Sequence, residues 1–268
     1  MKPSRLCLAI PVSAVWSAPH LREKTVRVAG LLRACTMFRC RRLYLLNDMG
    51  HRAGSELLAL ADYLNTPPYL KKYLPLQPVL RYAGVAPPIK GPLHTVASSP
   101  ERALNESFRM ALVVSAGDGA AASVDAGFGS PLAASIRPGR AKGERVLVRI
   151  RRLNRGYVAE EVSGTDLFVG TEPQLVDDRN LTWIPASTVT VELTRNGRPV
   201  SEAASRICGR DVLAFVGSQS RDPHEFLELK FDLKLNLVAC QGVESIRADE
   251  AAVIGLACIS SLCAEHEP

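Results

Sequence analysis

Near the C-terminus of the chain, two apolar runs are each followed by a loop that carries glycine and glutamine. Val212-Leu-Ala-Phe-Val216 leads into Gly217-Ser-Gln-Ser220, and an alternating run from Phe231 to Leu237 leads into a loop holding Gln241-Gly242. Two strands that end in such loops at the same edge of a sheet make a crevice, because a residue without a Cβ lets backbone amides and carbonyls come close to a ligand. The glycines offer backbone contacts, and the side chains of Gln219 and Gln241 offer polar ones. Ser245-Ile-Arg247-Ala-Asp-Glu-Ala251 then opens a final helix, with Glu250 in the first turn, where a carboxylate complements the helix dipole. Other chemistry has little to build on. The five histidines are scattered and join no Ser/His/Asp constellation. The seven cysteines include no C-x-x-C pair and no Cys/His group at metal spacing, which argues against a zinc site and a disulfide framework; they read as reduced core thiols.

The elements that would present these loops follow from the apolar pattern. The 268 residues, 47% of them hydrophobic, suffice for one large domain or two with packed cores. A strand is expected over Leu6 to Ile10, ending in a loop at Pro11. Ser17 and Pro19 suit the start of a long helix reaching about Phe38, with Val28, Leu31, Leu32 and Cys35 on its apolar stripe. Arg22, Lys24, Arg27, Arg33 and the arginines at 39, 41 and 42 lie off that stripe or just past it. They form the densest basic cluster in the chain, readable as a solvated face or as a phosphate-contacting surface. Leu43-Tyr-Leu-Leu46 is a second strand, Asn47 to Gly50 a polar loop, and Ser55 to Leu64 a helix stopped by Pro67-Pro68. Alternating strands and helices make this part α/β. The last helix is apolar at Val253, Ile254, Ala257, Cys258 and Leu262, a pattern that suits burial against the core or against a partner.

Composition changes at Pro87-Pro88-Ile-Lys-Gly-Pro92, which reads as a boundary. From about Met110 to Val169, short β runs separated by glycine turns suggest a small antiparallel barrel. Within it, Val124-Asp-Ala-Gly-Phe-Gly129 has the D-x-G-x-G outline of a Rossmann-type cofactor loop. Pro131 and the small residues after it leave no helix to receive a cofactor, so the segment reads as a strand and turn. Arg145, Arg149, Arg151, Arg152 and Arg155 alternate along one run and could line an RNA-facing surface; few aromatics interleave, and a solvated strand face explains them equally well. The helical signal over Leu167 to Ala186 is weak, and strand Val189 to Leu193 leads into Thr194-Arg-Asn-Gly197. The domain organisation expected is 1–91, 92–166 and 167–268, the first and last forming one domain.

The formal charge of +6, from 33 Lys and Arg against 27 Asp and Glu, suits a polyanionic partner without demanding one. Lys2 and Arg5 before Leu6 to Val15 have the outline of a short signal peptide, but Pro11 breaks the apolar run and Pro19 sits where cleavage would follow Ala18. No run approaches the roughly 18 apolar residues of a membrane span. The expected location is cytoplasmic, with no membrane and no metal.

The pattern N-x-x-x-x-Q-G-x-x-S-I-R-x-D-E-A, from Asn236 to Ala251, resembles the C-terminal segment of the SPOUT RNA methyltransferases, most closely the archaeal and eukaryotic branch with an inserted barrel. Ala29-Gly-Leu-Leu-Arg33 through Phe38, Tyr63 through Tyr73, and Arg81-Tyr-Ala-Gly84 are similar to the same family. The resemblance implies a SPOUT-type α/β domain with a C-terminal trefoil knot, interrupted by a small OB-like β-barrel. It implies S-adenosylmethionine as cofactor, held by three loops, the first at Thr194 to Gly197. The cofactor-binding candidates are Thr194, Gly197, Phe215, Gly217, Gln219, Cys240, Gln241, Gly242 and Ile246. Arg33 and Arg247 match family positions and are the catalytic candidates, since an always-charged guanidinium can orient a phosphate or stabilise a deprotonated base. A structural ion pair is the other reading of each. The family's sites are built at a subunit interface, which implies a homodimer. The implied partner is RNA, best read as rRNA, with uridine N3 a target suggested by relatives.

The chain also departs from the family. Ala239-Cys240 stands where the family often has Pro-Gly, Ser220 where a glycine is usual, and Val243-Glu244 where the pair is more polar and basic. The departures keep open a noncatalytic RNA-binding or assembly factor. A third reading sends the methyl group to a protein; RNA affinity that falls steeply with salt would speak against it.

Overall fold

A computed structural model describes residues 5–94, 97–116, 121–154, 156–162, 168–218 and 220–264. In chain order it begins with β1 (Leu6–Pro11), α1 (Val12–Trp16), α2 (Leu21–Met37), β2 (Arg42–Leu46) and α3 (His51–Asn65). Next come α4 (Pro100–Ala103), β3 (Arg109–Ala116), β4 (Ala121–Asp125), β5 (Leu132–Ser135), β6 (Arg145–Leu153) and β7 (Gly156–Glu161). The last part holds β8 (Glu172–Val176), β9 (Val189–Pro199), α5 (Ala204–Ile207), β10 (Val212–Val216), β11 (Leu233–Asn236) and α6 (Ala248–Ala264). Two compact units result: Met1–Asn65 with Gln77–Ile89 and Gly170–Pro268, and Thr66–Leu76 with Lys90–Val169.

The first unit is built on a six-stranded sheet, order β11-β9-β10-β1-β2-β8, with every neighbouring pair parallel. Covering both faces of a parallel sheet explains why β1, β2 and β10 are almost unbroken apolar runs. Leu8, Ile10, Leu43, Leu45, Val191 and Ala214 meet α1, α2, α3 and α6 on one face. Ala9, Tyr44, Leu46, Leu213 and Phe215 fill the other, under Trp183, Phe226 and Phe231 from irregular segments. There the Trp183 ring lies 4.5 Å from Tyr44, and Phe231 packs edge-on to Phe215 at 5.2 Å.

Local differences from the sequence expectation have clear causes. Val12–Trp16 is helical rather than loop; the amide and hydroxyl of Ser13 both donate to Asp48, and Ser17 closes this helix by donating to the Ser13 carbonyl. α2 therefore starts after His20, with no side-chain cap. β8 occupies a stretch whose helical signal is weak. It is an edge strand, where Pro173 costs no ladder hydrogen bond on its open side.

The second unit is a closed barrel of order β3-β4-β5-β7-β6. All neighbours are antiparallel except β5 and β7, which run parallel. Its core includes Val113, Val124, Val146, Val148 and Ile150. Arg109 is 1% exposed, with its guanidinium 4.3 Å from the Phe128 ring and 4.8 Å from the Tyr69 ring while donating to the Ala97 carbonyl at 2.7 Å. The D-x-G-x-G segment is structural here. Asp125 accepts from the Gly127 amide and the Tyr73 hydroxyl, each at 2.7 Å, and pairs with Lys72 at 2.6 Å. Gly127 has φ +84° and a Cβ there would lie 2.5 Å from the Tyr69 ring.

Candidate active site

A cavity of about 360 Å³ opens at the carboxyl ends of β9, β10 and β11, where a parallel sheet presents its loops to a ligand. Its shape follows from a break in pairing. Lys234 pairs with Glu192, but the next residue, Leu235, pairs with Arg198, so Leu193 to Gly197 is thrown out of the β9–β11 ladder. Residues 193–196 of that bulge form one wall. The end of β10 with Gly217, Ser218 and Ser220 to Asp222 forms a second. A third comes from Asn236 to Val238, Gln241, Glu244 to Ile246 and the start of α6.

Of the cofactor candidates, Thr194, Gly217, Gln241 and Ile246 line this cavity. Gly197 closes the bulge; a Cβ there would lie 2.4 Å from the Leu235 carbonyl carbon, so only glycine lets β11 pass. Gly217 allows the Ser218 to Arg221 turn, since its Cβ would meet the Arg221 carbonyl oxygen at 2.4 Å. Phe215 is fully buried in the aromatic layer. Cys240 is exposed, and Gly242 has open space around its Cα; neither lines the cavity. Gln219 lies outside the described residues.

The walls are held by two of these candidates, Thr194 and Gln241, together with side chains that the sequence reading left out, Asp222, Glu225, Arg195 and Glu192. Thr194 donates to Asp222 at 2.5 Å, and Asp222 and Glu225 form a capping box around Pro223–Glu225. Arg195 donates to the Glu244 carbonyl at 3.3 Å, which also accepts from the Gln241 amide at 3.0 Å. Asn236 donates to the Arg195 carbonyl at 2.9 Å. Glu192 is fully buried. It accepts from the backbone N–H of His224 at 2.9 Å and its ring nitrogen at 2.5 Å, and pairs with Lys234 at 2.9 Å. Burial pushes this carboxyl up; Lys234 and the two bonds from His224 outweigh it and hold the group below the usual carboxylate range. The visible signal was an acid inside the strand-like run Val189 to Leu193, since carboxylates are almost never fully buried unless paired. Glu192, Asp222 and His224 place three metal-capable atoms within 4.8 Å of one another, but Lys234 and Thr194 already engage the two carboxylates.

The other side of the 246–253 segment faces an open groove of about 1550 Å³, lined by Arg22, Arg27, Arg81, Arg247, Glu250 and Val253 among others. Arg247 is 3.2 Å from Asp249 and 3.3 Å from Glu250, whose carboxylate also accepts the Arg247 backbone N–H at 3.0 Å. Glu250 thus serves the helix start. Arg33 lines neither depression; it is exposed and donates to the Pro88 carbonyl at 2.9 Å. The structure brings four cofactor candidates together with Arg247 on the flank of the same segment, and leaves Arg33 apart.

Residues 5–259 match a family described as "Putative RNA methyltransferase". Mouse and human proteins named 28S rRNA (uridine-N(3))-methyltransferase are each 24% identical over 301 residues, spanning 96% of this chain and 76% and 78% of theirs. An uncharacterized protein of Halobacterium salinarum is 26% identical over 279 residues, spanning 92% of this chain and 95% of its own. The match runs through both units and all three walls of the cavity, in keeping with the SPOUT resemblance of the sequence, and the chain belongs to this RNA methyltransferase family.

Proposed function

We propose that the chain transfers a methyl group from S-adenosylmethionine to N3 of a uridine in ribosomal RNA, with the cavity at the ends of β9, β10 and β11 as the cofactor site. The observation that carries this reading is the position of that cavity, bounded by the loops that the family resemblance singles out. The mouse and human relatives' names supply the target. The lining suits the cofactor. Its volume is that of a small-molecule site, Leu193, Val216 and Leu237 provide apolar surface, and Asp222, Glu225 and Glu244 complement a cationic ligand.

The cofactor would supply an activated methyl group; the chain has to bind, orient and manage a proton. Gly217 and the 193–197 bulge bring backbone groups to the ligand, while Thr194 and Gln241 fix the loops around it. Alignment of donor and acceptor can supply much of the rate in a displacement. The acceptor proton must still leave, and the guanidinium of Arg247, which follows the cavity-lining Ile246 and lines the neighbouring groove, would stabilise an anionic base. Arg33, remote from the cavity within this chain, is assigned to RNA phosphate or to a partner's site.

The family resemblance of Asn236 to Ala251 supports a knotted C-terminal segment, and the order β3-β4-β5-β7-β6 with one parallel pair supports an OB-like barrel. A homodimer in the cytoplasm completes the reading. Among the described residues no helix is long and apolar enough to cross a membrane. The test is incubation of the purified protein with methyl-labelled S-adenosylmethionine and ribosomal RNA, followed by nucleoside analysis. Label is expected in 3-methyluridine; label in another nucleoside would refute the target, and none in RNA would refute the reading.

A further inference from the structure

We infer that Glu192 is a positioning residue for the cavity, a buried carboxylate that ties the three walls to one another. The inference rests on the reading of this cavity as the cofactor site. Along β9, Val189, Val191 and Leu193 face the helices. The alternate residues each grip the segment from 222 to 234: Thr190 bonds Asp232 through its amide (2.8 Å) and hydroxyl (2.9 Å), Glu192 holds His224 and Lys234, and Thr194 holds Asp222. Glu192 is the central member and the one whose contacts reach two walls beyond its own.

His224 sits in the turn between Asp222 and Glu225, both of which line the cavity. Lys234 is the last β11 residue before the pairing jumps, and the residues from Asn236 onward form the opposite wall. Glu192 itself begins the jump on β9 and leads directly into the 193–196 bulge. It does not line the cavity, so it acts through these neighbours. Its side chain is 0% exposed, whereas those of Lys234 and His224 are 47% and 41% exposed. Water can replace what the partners lose but not what Glu192 loses: a buried carboxylate without its partner either takes up a proton or draws another donor toward it by shifting the backbone around it. Any such movement changes the separation of the cavity walls.

The experiment measures S-adenosylhomocysteine affinity calorimetrically, together with ribosomal RNA affinity and melting temperature. The proteins are the wild type, Glu192→Gln, Lys234→Met, the double variant and Lys234→Arg. Each single neutralisation is expected to weaken S-adenosylhomocysteine by about tenfold or more with RNA affinity unchanged. The double variant should be no weaker than the worse single one, since both cut the same tie. Lys234→Arg should restore most of the affinity. Where Glu192→Gln does not fold, Lys234→Met decides alone, its side chain being half exposed. Wild-type affinity in a folded neutral variant would overturn the inference, as would parallel loss of cofactor and RNA binding. A wild type that binds no S-adenosylhomocysteine would instead fail the cavity reading on which the inference stands.

Discussion

Single residues in this protein are set by their partners more than by their type. Glu161 in the barrel is the clearest case outside the cavity. Burial raises its carboxyl, but the Arg140 side chain at 2.6 Å and the Arg137 backbone and side chain, at 2.7 and 2.9 Å, win and bring its pKa from 4.5 down to about 2. A folded pKa below the unfolded one means stability that is present above about pH 4.5 and lost as pH falls through about 2. The difference corresponds to about 3 kcal/mol. Glu161→Gln should lower the melting temperature at neutral pH and flatten its decline between pH 4.5 and 2; an unchanged acid limb would show that other carboxylates control it. At this scale the sequence was partly legible. Gly197 and Gly217 could be found because a missing Cβ leaves a mark in the sequence, and each has backbone where its Cβ would be. Glu192, Asp222 and His224 were passed over because Glu192 lies some thirty residues before the other two and none belongs to a familiar motif. Arg247 shows the ion pair that was its alternative reading, while Arg33 donates to a carbonyl instead.

At the scale of elements, the decisive feature is the jump in pairing between β9 and β11. A sequence reports that Val189 to Leu193 and Phe231 to Leu237 alternate, but not that five residues are expelled from the ladder they share. That depends on how closely the β11 backbone crosses Gly197. Gly197→Ala should push β11 away and cost about 1–3 kcal/mol by overpacking, with weaker S-adenosylmethionine binding because the 236–238 wall moves with it. A variant with wild-type melting temperature would show that the crossing is looser than 2.4 Å implies. Buried strands β1, β2 and β10 were legible from their apolar runs, since covered parallel strands have no polar face. β8 was not, because an edge strand with Glu172, Pro173 and Gln174 buries too little to leave a pattern. The last helix was legible as a helix but not in orientation: Ala252, Leu256 and Ile259 are buried, whereas Val253 faces the groove.

For the whole molecule, the composition change at Pro87 to Pro92 marks where an α/β chain turns into a β chain. It cannot reveal that residues 66–76 pack with the barrel, because Tyr69 and Tyr73 find Met110 and Asp125 only in three dimensions, 41 and 52 residues onward. The family match over residues 5–259 places both units in one RNA methyltransferase. The cavity formed by the 193–197 bulge, the Gly217 turn and the loop before α6 is proposed to hold S-adenosylmethionine. Its most direct test is calorimetric titration of the purified protein with S-adenosylmethionine, beside a Ser245→Trp variant, which places a bulky ring at an exposed position of the cavity lining. Saturable binding by the wild type, lost in a variant that melts normally, is the result expected. Equal binding by both, or none by the wild type, would contradict the assignment.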